Sequence, residues 1–142
     1  MRTILFVSLV AISSITGCAK KAESKKDDSE MVQAKIPTVT VDQVDSMLAK
    51  GECTPVDANG DGTRKKMGVV PGAIMLTDSE AYAPSELPSD KGKALVFYCG
   101  NTQCGASHEA AAKALTAGYT NVKVMPDGIA GWVKAGKKVA TI

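Results

Sequence analysis

The chain has 142 residues, a formal net charge of +2 and one histidine. That length holds one domain with a modest core, and near-neutral charge gives no reason to expect a nucleic-acid partner. Four cysteines and one histidine, scattered as they are, do not make a four-ligand zinc pattern.

Residues 1–17 have the layout of a secretory signal: a basic Arg2, an apolar run from Ile4 to Ile12, then small polar residues. The run is shorter than the ~20 apolar residues a spanning helix needs. It ends Ile15-Thr16-Gly17-Cys18, which resembles the bacterial lipobox and implies a lipidated Cys18. An ordinary cleaved signal with an incidental cysteine is the alternative. Several acyl chains on Cys18 would anchor the protein to a membrane. The expected location is the bacterial cell envelope, on its periplasmic or extracytoplasmic face. Ala19, in place of Asp, suggests the outer membrane where the cell has one. Residues 18–35 mix Lys20, Lys21, Lys25, Lys26, Asp27, Asp28 and Glu30 with few large apolar side chains, so they read as the lipidated cysteine and a flexible tether. With Cys18 consumed by lipid, Cys53, Cys99 and Cys104 remain, and an odd number in an oxidising compartment leaves a thiol free or reactive.

Residues 36–142 form the domain. Thr40-Val41-Asp42-Gln43 has the form of a capping box, followed by Val41, Val44 and Leu48 at helical spacing, with Gly51 as the stop. Pro55-Val56 leads into Asp57 as a buried strand, and Gly60-Asp61-Gly62 predicts a turn. The cationic Arg64, Lys65 and Lys66 then read as a solvated turn, the alternative being a nearby source of positive charge. A Pro71-Gly72 turn precedes a second strand ending near Leu76. Residues 78–93, with Pro84, Pro88 and Gly92, allow at most one short helix. Ala94–Tyr98 is a third strand, about Ser107–Ala117 a helix capped by Gly118, and Val122–Met125 a fourth strand. A short helix opens at Gly128, with Trp132 as its core anchor, and Lys138-Val139 is placed at the sheet edge as a fifth strand. This alternation predicts an α/β domain with a mainly parallel sheet of about five strands, covered by helices on both faces.

In such sheets reactive loops lie at the carboxyl ends of strands, and Cys99 stands at such an end. The residues after it, Gly100, Asn101, Thr102, Gln103, Cys104 and Gly105, form a tight polar loop before a helix N-terminus. Backbone N–H groups and the helix dipole there bias a thiol toward thiolate. Cys99 is the candidate nucleophile, and the amides from Gly100 through Cys104 are the expected cradle for an anion. Cys104 is either a redox partner of Cys99 or a small side chain packed under the loop. Cys53 reads as inert packing and His108 as a surface helix residue, the alternative for His108 being a hydrogen bond to substrate at the loop mouth. The run Asp57-Ala58-Asn59-Gly60-Asp61-Gly62 matches the opening of a calcium loop, but Gly68 stands where a bidentate Glu is required, so no metal site is assigned.

Four features in order resemble the rhodanese-like family: Val56-Asp57 ending the early strand, Gly68-Val69-Val70-Pro71-Gly72-Ala73, Tyr98-Cys99 opening the loop, and Gly118-Tyr119-Thr120-Asn121-Val122 followed by Gly128-Ile129-Ala130-Gly131-Trp132. The resemblance spans residues 36–142. It implies sulfur transfer without a cofactor, in which Cys99 takes a sulfane sulfur from a small donor, holds it as a persulfide and hands it to a thiol acceptor. Three departures stand out. No basic side chain lies between Cys99 and Gly105, which weakens the case for thiosulfate as donor. The loop looks about two residues longer than the common form, and longer loops in relatives go with phosphatase or arsenate chemistry, yet they end in an Arg absent here. The family's usual Arg two residues after the early Asp is Asn59. A binding or redox-sensing domain, and a thiol-disulfide oxidoreductase using Cys99 and Cys104, are the competing readings.

Overall fold

The computed structural model describes residues 35–142; the signal segment, Cys18 and nearly all of the tether lie outside the described residues. The elements run α1 (Val41–Ala49), β1 (Thr54–Asp57), α2 (Asp61–Met67), β2 (Ile74–Met75), a 3₁₀ turn (Pro84–Glu86), β3 (Leu95–Tyr98), α3 (Ala106–Thr116), β4 (Val122–Met125) and α4 (Gly128–Lys134). The four strands pair in the order β2-β1-β3-β4, all parallel, with Asp57 of β1 level with Tyr98 of β3 and Tyr98 level with Met125 of β4.

The capping box forms as its residue types dictate: Thr40 Oγ1 accepts from the Gln43 amide at 3.3 Å, and Gln43 Oε1 accepts from the Thr40 amide at 2.9 Å. Strand residues alternate between the two faces, which splits the core in two. Leu95, Phe97 and Cys99 pack with Val56, Val122 and Val124 against Ala110, Ala111 and Ala114 of α3. Val96 and Tyr98 pack with Val41 and Val44 of α1 and Ile129 and Trp132 of α4. The alanine face of α3 has no exposed area at these three positions. Trp132 anchors the final helix, its indole N–H donating to the Lys138 carbonyl at 2.7 Å.

Two expectations are corrected. The sheet has four strands, not five, because Lys138-Val139 forms no strand. Its neighbour Ala140 makes one antiparallel bridge, to Val69, outside the sheet. The edge beside β4 is occupied instead by Thr38, in a single parallel bridge with Val124. Val39 donates to the Val124 carbonyl and Val124 to the Pro37 carbonyl, both at 2.9 Å. Pro37 has no N–H to extend that ladder, so the fifth strand stops at a bridge. Second, Gly60-Asp61-Gly62 begins a helix rather than making a turn: Gly60 sits at the cap, and Asp61–Met67 is helical. The helix is fastened by Arg64, which is buried.

Candidate active site

The site is built at the carboxyl ends of β1 and β3, which lie side by side. Asp57 is fully buried there. Its Oδ1 accepts from the Asn59 amide at 2.7 Å and from Arg64 Nε at 3.1 Å, and its Oδ2 accepts from Asn59 Nδ2 at 3.3 Å. Arg64 Nη2 also donates to the carbonyls of Asp57, at 3.1 Å, and Leu76, at 2.8 Å. One guanidinium thus ties α2 to the ends of β1 and β2, its Nε meeting the buried carboxylate while Nη2 takes two backbone carbonyls. Arg64 is therefore not a solvated cation, whereas Lys65 and Lys66 are exposed as expected. Beside this pair, the buried Tyr98 hydroxyl accepts from the Val70 amide at 3.0 Å. Burial first, then the neighbouring negative charge of Asp57, pushes the Tyr98 phenol above its ordinary range.

Cys99 follows β3 on the α3 face and is 1% exposed. Its Sγ lies 3.3 Å from the hydroxyl of Ser107, itself buried in the first turn of α3, and 3.1 Å from the Cys104 carbonyl oxygen. Cys99 and Cys104 are joined as a disulfide, their Cα atoms 6.3 Å apart. The loop is held from two sides. Inside it, Asn101 accepts from the Gln103 amide through Oδ1 at 3.0 Å and from the Cys104 amide through its carbonyl at 3.1 Å. From outside, the first turn of α4 donates to it: Ile129 N–H to the Cys99 carbonyl at 2.8 Å and Ala130 N–H to the Gly100 carbonyl at 2.9 Å. That approach requires glycine at position 128. Its φ is +62°, and a Cβ there would stand 2.5 Å from the Cys99 oxygen and 2.8 Å from the Asn101 nitrogen.

The expected cradle is thus only partly open in the paired form. The amides of Gln103 and Cys104 are turned onto Asn101, which takes them with its side-chain and backbone oxygens. Asn101, Thr102, Gln103 and Gly105 are exposed, while Gly100 and Cys104 are half-buried. A cleft of about 380 Å³ opens beside the loop between Thr63, Lys66 and Met67 of α2 and Gly100, Asn101 and Ala130. His108 is half-buried on α3. Cys53 is far from all of this, at the opposite, amino end of β1, half-buried and unpaired among the described residues, its thiol pushed up chiefly by burial.

Two residues escaped the sequence reading. Ser107 carried a signal, since with Ala110, Ala111 and Ala114 it completes an i, i+3, i+4, i+7 pattern that places it on the buried face. Arg64 carried another: it is the only arginine in residues 36–142 of a lysine-rich chain, and an isolated arginine suits a forked, buried contact.

Residues 40–135 match the model of the Rhodanese-like domain. No curated protein matches the chain in sequence. Among solved structures, the human single-domain sulfurtransferase is similar over 69% of this chain and 96% of its own, at 20% identity and a TM-score of 0.56. The polysulfide-sulfur transferase of Wolinella succinogenes is similar over 84% and 88%, at 16% identity and a TM-score of 0.65. A Rhodopseudomonas palustris protein described as a possible tyrosine phosphatase is similar over 87% and 100%, at 21% identity and a TM-score of 0.64. At these identities the three share a fold with this chain. With the family model covering most of its length, the chain belongs to the rhodanese-like domain family.

Proposed function

We propose that the domain is a sulfurtransferase that carries sulfane sulfur as a persulfide on Cys99. The observation that carries this reading is the seat of Cys99, at the end of a parallel strand, under the first turn of α3 and 3.3 Å from a buried hydroxyl. With the disulfide open, Ser107 donates to the Cys99 thiolate, and the helix N-terminus adds partial positive charge. The thiolate attacks a sulfane sulfur of the donor. The S–S bond to that sulfur breaks and its electron pair leaves on the remainder of the donor, as in thiol–disulfide exchange. The persulfide so formed is anionic and draws on the same donors. A thiol acceptor completes the cycle by attacking its outer sulfur.

Polysulfide suits this site better than thiosulfate. The loop carries no cation to clamp the sulfonate oxygens of thiosulfate and Arg64 is committed to Asp57, which leaves the exposed Lys66 across the cleft to meet donor charge and suits an all-sulfur chain that presents no oxyanion group. A fold shared with the Wolinella polysulfide-sulfur transferase supports the same choice. The phosphatase alternative lacks an arginine at the end of the loop, the group that would hold a phosphoryl dianion. Thiol-disulfide oxidoreduction is the second reading, favoured by the pairing of Cys99 with Cys104. We further propose that lipid on Cys18 holds the domain at the envelope, which labelling with a radioactive fatty acid tests: Cys18→Ser should take up none.

Intact mass of the reduced full chain, exposed separately to thiosulfate and to polysulfide, tests the central reading. Transfer of sulfur to the protein from polysulfide, absent in Cys99→Ser, is the expected result. Equal uptake by Cys99→Ser would overturn it.

A further inference from the structure

Cys99 and Cys104 differ in one respect that matters for chemistry at a disulfide: Cys99 is 1% exposed, whereas Cys104 is half-buried and sits in the loop. Their Cα separation of 6.3 Å lies in the range a disulfide spans without backbone movement. Ser107 lies against Cys99 Sγ, so the buried sulfur has a hydroxyl ready for the charge it acquires when the S–S bond breaks. In this loop the Gln103 and Cys104 amides donate to Asn101, and the one Sγ of Cys99 carries either the disulfide or a persulfide. Paired and persulfide forms are therefore competing states of one loop.

Resting on the sulfurtransferase reading, we infer that Cys104 is the resolving cysteine of a reductive cycle, releasing the carried sulfur as hydrosulfide, and that a dithiol reductant completes the cycle by attacking Cys104. Cys104, its proton given to solvent, attacks Cys99 Sγ of the persulfide. The bond from Sγ to the outer sulfur breaks and its electron pair leaves on that sulfur as hydrosulfide. The sulfane sulfur gains two electrons, and the two cysteines lose them in forming their disulfide. One thiolate of the external dithiol then attacks Sγ of Cys104, the less buried of the two cysteines. The S–S bond breaks toward Cys99, whose thiolate is received by Ser107 and the helix terminus, making it the better leaving group. The second thiol of the reductant attacks the mixed disulfide and frees Cys104. Each turn consumes one sulfane sulfur and one dithiol and yields one hydrosulfide and one disulfide. The domain accordingly belongs between a source of sulfane sulfur and a reaction that regenerates dithiols.

The test adds one equivalent of polysulfide to the reduced full chain, with hydrosulfide measured continuously and samples alkylated at intervals for peptide mapping. In the parent, the Cys99 persulfide should appear first and give way to the Cys99–Cys104 disulfide as hydrosulfide is released. Cys104→Ser should hold its persulfide and release hydrosulfide about a hundredfold more slowly or less, since an intramolecular thiol acts at an effective concentration dissolved thiols do not reach. Treating the oxidised parent with a monothiol should give a mixed disulfide on Cys104. A persulfide that persists in the parent, release from Cys104→Ser at the parental rate, or a mixed disulfide on Cys99 would each overturn the inference while leaving the carrier reading standing. Failure of both proteins to take up sulfur would overturn the two together. The parental time course needs no variant, so a folding defect in Cys104→Ser leaves the question answerable.

Discussion

The two ends of the sheet treat the same side chain in opposite ways. At the amino end, Cys53 leads into β1, half-buried beside ordinary packing, and burial pushes its thiol up. At the carboxyl end, Cys99 leaves β3 beneath a helix N-terminus and against a serine hydroxyl. Parallel strands make this difference systematic, because every following helix starts at the carboxyl end and directs its free amides there. The environment of each thiol is thus placed by topology, and the residue type supplies only the sulfur.

The sharpest way to break this contrast is to remove what holds the carboxyl end in place. Arg64→Met leaves Asp57 buried and unpaired, and loss of one partner of a buried pair costs about 3–5 kcal/mol. Urea unfolding should show that loss, whereas Cys53→Ala should stay within about 1 kcal/mol, as expected for a half-buried small side chain. Gly128→Ala comes next. It forces a side chain into backbone at a positive φ, at a cost of about 1–3 kcal/mol, and it should change Cys99 labelling as well as the unfolding midpoint.

Alkylation of the reduced protein then compares the two thiols directly. At neutral pH Cys99 should label faster than Cys53, whose raised pKa keeps it protonated and makes its rate climb only in alkaline solution. Ser107→Ala should slow Cys99 by a factor of about 5, the equivalent of one hydrogen bond of roughly 1 kcal/mol, and leave Cys53 unchanged. The smallest effect concerns Glu86, whose carboxylate is held below its ordinary range, chiefly by the backbone amide of Thr77 and then by that of Ala83. Its contribution is present above the unfolded carboxyl's pKa and is lost as pH falls through the lower, folded value. Glu86→Gln should remove that acid dependence at a cost below about 1 kcal/mol, since the carboxylate is only partly buried and screened by solvent.

Much of this molecule was legible in its residues, and the exceptions have physical causes. Strand runs such as Leu95–Tyr98 and the Thr40 capping box announce themselves because apolar pattern and cap chemistry are local. The position of Cys99 at a strand end followed from the same patterns. Thr38 was hidden because a strand reduced to one bridge leaves no period to read. The helix over Asp61–Met67 was masked by two glycines that argue for a turn, and only the tertiary anchor of Arg64 on Asp57 and Leu76 overrides them. The pairing of Cys99 with Cys104 depends on loop curvature, which spacing alone leaves open between a bond and simple packing.

The donation from Ile129 and Ala130 to the loop carries a consequence for the order of assembly. The strand that bears Cys99 and the helix that covers it come from residues 95–116, but the clasp that fixes the loop arrives only with α4. A growing chain therefore displays Cys99 before it can shape the ground around it. The seat of the proposed nucleophile is finished last, by backbone amides from the final helix.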